Sequence, residues 1–236
     1  DLAAQQARSD AEQLVGFLIE DFYAELEPTG RVETMGKLAQ KAVDYYDRLP
    51  PELLTVQTQI YRGMALLRLG GVALARDDLE LGNRSLDEAR KLFEGLYAAG
   101  EQSEQVKVGL ALALFTPFAV SGPVGGPSSK PEDLTTAADL LRPVVAAPDS
   151  SPQSRLVYAD ILNNLSHQQQ LETAVATCDE ARRVLAGIGA LDLSNLNATS
   201  VYADTADSQA RHLMALGRLD EAASLEQEVY DLTERV

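Results

Sequence analysis

The chain has 236 residues and sets 20 Lys and Arg against 36 Asp and Glu, a net charge of −16. Such a field repels phosphate backbones and anionic headgroups, so nucleic acid and membrane surfaces are poor partners. Hydrophobic residues at 45% suit a folded chain with a core, while one cysteine, Cys178, and two histidines leave no internal disulfide and no ordinary zinc site.

From Ala11, the apolar residues Leu14, Phe17, Leu18, Phe22 and Leu26 recur every three or four positions, as on one face of an amphipathic helix. Pro28 and Gly30 end it. A second helix is expected from Arg31 to Leu49, with Met35, Leu38, Ala42, Val43 and Tyr46 on its buried side. Pro50 and Pro51 close it, and Pro51 suits the first turn of a long third helix reaching Leu81 through Leu53, Leu54, Ile60, Met64, Leu67 and Leu74. Gly70 and Gly71 inside that helix each cost roughly 1 kcal/mol against alanine, a cost that close approach of another helix would offset.

Further helices are expected over Leu86–Ala98, Ser103–Val120, Pro131–Ala146, Pro152–His167, Leu171–Leu185, Leu196–Leu216 and Leu219–Arg235, with no strand. The apolar run from Val108 to Val120 is about 13 residues long and contains Pro117, too short for a membrane span of 18 or more. It reads as a buried helix. The segment SGPVGGPSSK, Ser121 to Lys130, cannot sustain a helix and makes a loop or hinge. A second break, APDSSPQS from Ala147 to Ser154, offers capping residues ahead of Pro152. The expectation is an all-α fold.

The most informative pattern is Leu-x-x-Ala near a helix start: LDEA at Leu86, LTTA at Leu134, LETA at Leu171 and LDEA at Leu219, spaced by 48, 37 and 48 residues. Recurrence on this scale points to stacked helical hairpins. These residues resemble the tetratricopeptide repeat, with a small residue in helix A, a glycine at the turn, then leucine and alanine in helix B. The last unit matches best, through Ala210, Leu213, Gly217, Leu219 and Ala222. The Leu171 unit departs, with Leu162 at the small position, Gln169 for the turn glycine and Cys178 in the aromatic slot. The Leu86 unit keeps Leu69, Gly70 and Phe93 but stretches the gap between its helices. The resemblance implies a right-handed superhelical array of antiparallel helix hairpins, an α-solenoid.

Residues Ala7 to Leu49 resemble the helical pair that opens the repeat region of large bacterial signalling proteins. The likeness rests on Ala11-Glu12, the aromatic stretch Phe17 to Phe22, LEP-x-GR at Leu26 to Arg31, and Tyr45-Tyr46. It implies an N-terminal pair over residues 1–50 capping repeats over 51–236, beside a kinase, cyclase, TIR-like or NTPase module elsewhere in a membrane-tethered protein. Asp1 would then follow a membrane segment, and the domain would face the periplasm rather than the cytoplasm.

Catalytic and metal constellations are scarce. GGPSSK at Gly125 lacks the phosphate-loop spacing and follows a helix instead of a strand. His167 and His212 read as structural, and Cys178, beside Asp179 and Glu180, reads as core instead of a nucleophile. The acidic runs at Glu25 and Glu27 and at Asp77, Asp78 and Glu80 lack EF-hand spacing. One of Tyr45 and Tyr46 belongs to the core. The sequons at Asn83, Asn164 and Asn197 are as frequent as chance allows. No metal, cofactor or catalytic residue is expected.

What remains is a surface. Carrying the repeat family's groove-facing positions onto this chain gives Asn163, Asp204, Asp207 and Arg211 as peptide-binding residues. Asn163 and Arg211 would donate to a peptide backbone, and Asp204 and Asp207 would favour a cationic segment. The expected function is a non-catalytic scaffold or sensor domain that binds a protein or peptide. The alternative is a small-molecule sensor whose loop at Gly122 to Pro127 closes over Leu114, Phe115 and Phe118. The last helix, with Leu225, Val229 and Leu232 on one side, would cap the array or pair two copies as a homodimer.

Overall fold

In the chain, apolar residues at helical spacing become nine α-helices and no strand among the described residues, which in this computed structural model are 32–122 and 125–235. The helix expected over Leu14 to Leu26, the motifs around Phe17 and Leu26, and Glu25 and Glu27 lie outside them. The helices are α1 (Val32–Asp47), α2 (Val56–Ala75), α3 (Leu79–Ala98), α4 (Glu104–Ser121), α5 (Asp133–Val145), α6 (Pro152–Ser166), α7 (Leu171–Ala186), α8 (Leu196–Ala215) and α9 (Leu219–Thr233). Side-chain caps begin several of them. Thr55, Asp78, Ser151 and Asn195 each accept a hydrogen bond from the backbone N–H three residues on, worth about 1 kcal/mol apiece.

The long third helix expected from the sequence is in fact two. Pro51–Leu53 forms a single 3₁₀ turn with Leu54 exposed beyond it, and α2 ends at Ala75. Asp77 then takes a left-handed conformation, φ 61°, and Asp78 caps α3. Aspartate tolerates that backbone region better than most residues, so the chain turns without glycine or proline. In consequence α3 starts at Leu79, and the LDEA of Leu86 lies two turns inside it instead of at its start.

The chain divides into two compact units. The first holds α1 to α4 with Gly125–Ser129, and the second holds α5 to α9. In the first, α2 packs on α1, α3 and α4. Phe93 of α3 is fully buried because two glycines admit it: a Cβ on Gly63 of α2 would fall 2.6 Å from its ring, and one on Gly109 of α4 closer still. Burying such a ring stabilises by about 2–3 kcal/mol. Gly70 serves the close approach expected of it, since a Cβ there would meet Leu86 at 2.7 Å; Gly71 has only Thr116 nearby, at 3.8 Å. Tyr46 is buried, stacked on Tyr61 and edge-on to Tyr45. Arg62 of α2 ties Asp47 at the end of α1, 2.7 Å away, to Glu88 of α3.

In the second unit each helix packs on the next, and α6 also touches α8. Short turns make α6–α7 and α8–α9 hairpins. At the second turn Gly217 adopts φ 76°, and Arg218 N–H donates to Leu213 O at 2.9 Å, the left-handed closure that favours glycine. Val175, Ala210, Leu213 and Ala222 form a buried cluster joining α7, α8 and α9. Cys178 sits in this interior, fully buried, and burial, more than its acidic neighbour, pushes its thiol up.

Candidate functional site

Both α6 and α8 carry polar residues at i, i+3, i+4 and i+7, the spacing that aligns side chains along one helix face. On α6 and just past its end these are Asp160, Asn163, Asn164 and His167; on α8 they are Asp204, Asp207, Ser208 and Arg211. Cross-helix contacts give the register. Ser166 lies 3.2 Å from His212, and His167 lies 3.4 Å from Ser208. Asp160 feels the charge of Asp204. The two helices therefore run side by side in the same direction, with Asp160 level with Asp204.

Hydrogen-bond direction defines the seam between them. The fully buried Ser166 hydroxyl donates to Asn163 O at 2.7 Å, so the contact with His212 Nε2 is one in which the imidazole N–H donates. Ser208 likewise donates to Asp204 O at 2.9 Å and receives from His167 Nε2. The imidazoles stand 5.6 Å apart. Burial, and then Arg211 for His167 and the neighbouring ring and Arg211 for His212, hold both below the usual imidazole range. Both shifts favour the neutral ring, which acts here as a seam donor. Neither bonds a carboxylate among the described residues, and the serine beside His212 is sealed from solvent.

The acidic side is less satisfied. Asp160 is half-buried, and its carboxyl is pushed up to about 6, chiefly by burial and then by Asp204. Asn164 donates to the backbone oxygen of Asp160 at 3.0 Å. Asp204, on the exposed edge, is raised by burial and by Asp207, with Arg211 opposing. Arg211 pairs with Asp207 at 2.8 Å, both side chains more than half exposed; such pairs are worth under about 1 kcal/mol.

Asn163 is the outlier. It is 9% exposed, and its Oδ1 is buried with no hydrogen-bond partner, an omission that costs about 1–3 kcal/mol. On α6 it stands one turn from Asp160 and one turn from Ser166, which places it on the same helix face as those residues.

Of the four residues expected from sequence, Asn163 and Asp204 flank this seam from opposite helices, whereas Asp207 and Arg211 pair with each other along α8. Asp160, Ser166 and Ser208 were not singled out. The signal that could have found Asp160 is its distance of 44 residues from Asp204, close to the 48 separating the LETA and LDEA motifs.

Of the loop expected to close a ligand pocket, the described stretch Gly125–Ser129 is tied to itself and to α3. Gly126 N–H donates to Ser129 Oγ at 2.9 Å, and Ser128 Oγ to Asp87 at 3.1 Å. Leu114, Phe115 and Phe118 beneath are buried. The cavity bounded by Asn83, Leu86, Ala113, Pro117 and Gly126 measures about 10 Å³, room for one water. No group of three or more His, Cys, Asp or Glu among the described residues could hold a metal ion, and no described helix is long and apolar enough to cross a membrane. The chain matches no protein-family model, and no curated protein matches it in sequence.

Proposed function

We propose that this chain is a tetratricopeptide-like α-solenoid, a right-handed array of helix hairpins, that binds a protein or peptide across its helix A face as the scaffold or sensor domain of a bacterial signalling protein. The observation that carries the reading is the same-direction pairing of α6 and α8, with matched polar stripes flanking a seam that contains an unsatisfied buried amide. Stacked hairpins place their first helices side by side in this way, and such faces take extended segments.

The last hairpin supports a cap over a homodimer contact. On α9, Ala222 and Leu232 are buried and Leu225 packs against the inner cluster, while Glu226, Gln227 and Asp231 are exposed beside an exposed Tyr230, a largely polar outer side of the kind a capping helix carries. The periplasmic setting rests on the N-terminal resemblance and belongs to the same proposal.

Peptide display on the purified 236-residue chain tests the reading, with Asn163→Ala and Asp204→Ala/Asp207→Ala/Arg211→Ala as counter-screens. Enriched sequences whose binding drops at least about tenfold in these variants, the loss of one charge-assisted hydrogen bond, are the expected result. Enrichment unaffected by either variant would move the binding face elsewhere.

A further inference from the structure

We infer that the Asp160–Asn163–Asp204 seam is a socket for the ammonium group of a lysine side chain carried by the bound peptide. This rests on the peptide-binding reading above and names the group recognised.

Asp160 and Asn163 on α6 and Asp204 on α8 lie along the paired faces that the Ser166–His212 and His167–Ser208 contacts put in register, and they offer oxygens: two carboxylates and the amide Oδ1 of Asn163. Asn163 is the independent pointer, because a nine-tenths-buried oxygen without a donor gains most from a ligand that brings one. The chain fills the role only weakly, through Asn164 Nδ2, which reaches Asp160 Oδ1 at 3.4 Å. Arg211, the cation acting on this region, is engaged along its own helix by Asp207 at 2.8 Å and approaches Ser208 Oγ at 3.4 Å. The seam's own donors, His167 and His212, are turned to Ser208 and Ser166. A run of acceptors beside spent donors favours a cation.

Lysine fits better than arginine. An ammonium presents three donors from a point charge and can address acceptors arriving from different directions. A guanidinium is a planar fork that suits two oxygens of one carboxylate. Asp160 is half-buried and elevated by burial and by Asp204, so a cation delivered there relieves a like-charge repulsion already present.

The test is NMR titration of the uniformly ¹⁵N-labelled 236-residue chain, reading the side-chain amide of Asn163, identified by its loss in Asn163→Ala. Three probes are compared: a capped nonapeptide of alanine and serine with one central lysine, the same peptide with norleucine, and methylammonium chloride against sodium chloride. The lysine peptide is expected to shift the Asn163 signal and to bind roughly tenfold more tightly than the norleucine peptide, and roughly tenfold more tightly to the parent than to Asp160→Asn/Asp204→Asn; circular dichroism checks that the near-isosteric variant stays folded. Equal binding of both peptides overturns the socket and leaves the groove. Saturable methylammonium binding without peptide binding keeps the socket and overturns the groove. No response to any probe overturns both. Calcium chloride shifting the signal at lower concentration than the amines reassigns the seam to a metal ion and overturns the lysine.

Discussion

Arg182 on α7 reaches Glu228 on α9 at 2.9 Å, joining two helices that are not consecutive in the chain. The helix between them supplies further partners: Arg182 donates to Tyr202 Oη at 2.7 Å and to Gln209 Oε1 at 3.0 Å, and its guanidinium lies 5.0 Å from the Tyr202 ring centre. Tyr202 in turn bonds Glu228. Burial and that carboxylate push its phenol up to about 12.

Removing Arg182 strands three partners at once, so Arg182→Met should destabilise the second unit by about 2–3 kcal/mol. Glu228→Gln keeps an acceptor oxygen and should cost less than half as much. Urea unfolding of both variants measures this; a loss below about 0.5 kcal/mol for Arg182→Met would show that the network contributes little.

Asp160 gives a pH signature. Its carboxyl titrates near 6 in the folded chain against an ordinary 3.8, so between these values the folded state holds more protons than the unfolded one, and stability falls as pH rises through the window. Asp204 is the charged group facing it from α8, with Arg211 further along the same helix. Asp160→Asn should therefore stabilise the chain by about 1–2 kcal/mol at pH 7.5, with the difference shrinking through the window and levelling off below the ordinary 3.8. A constant difference across this range in thermal melts would sink the idea.

Two glycines in the first unit should respond oppositely to the same substitution. Gly109→Ala drives a methyl into the Phe93 ring and should cost about 1–3 kcal/mol. Gly95, on the exposed side of α3 with nothing within 4 Å of where a Cβ would sit, should gain about 0.5–1 kcal/mol as alanine. Denaturant midpoints decide, and a destabilising Gly95→Ala would contradict the packing described.

Cys178 serves as a reporter. It is fully buried with its thiol held high by burial, so an aromatic disulfide reagent at pH 8 should label it only when the second unit opens. Labelling of the native chain should be slow and should accelerate in Arg182→Met by about tenfold for each 1.4 kcal/mol of stability lost. Prompt labelling of the native protein would mean the α7 core breathes independently of that network.

Helix identity was legible because apolar spacing and caps act locally: α4 to α9 lie within a few residues of the expectation. The α2–α3 boundary was missed because Arg76, Asp77 and Asp78 carry no glycine or proline, and the left-handed turn at Asp77 is chosen by packing of Gly70 and Gly82 against Leu86 and Leu74. For the candidate site, family positions led to Asn163 and Asp204, yet Asp160 and Ser166 acquire meaning only through the tertiary register of α6 and α8. Polar residues on a helix look alike in sequence whether they face water or another helix's charge. The Arg182 network was invisible for the same reason.

The same-direction pairing of α6 and α8 also imposes a metre. Packed helix axes stand about 8–10 Å apart, and an extended strand advances roughly 3.3 Å per residue. A segment laid across the two would thus meet equivalent positions, Asp160 and Asp204, about every third residue, so its side chains would be sampled at a period of three, out of step with the two-residue alternation that governs recognition by a sheet edge.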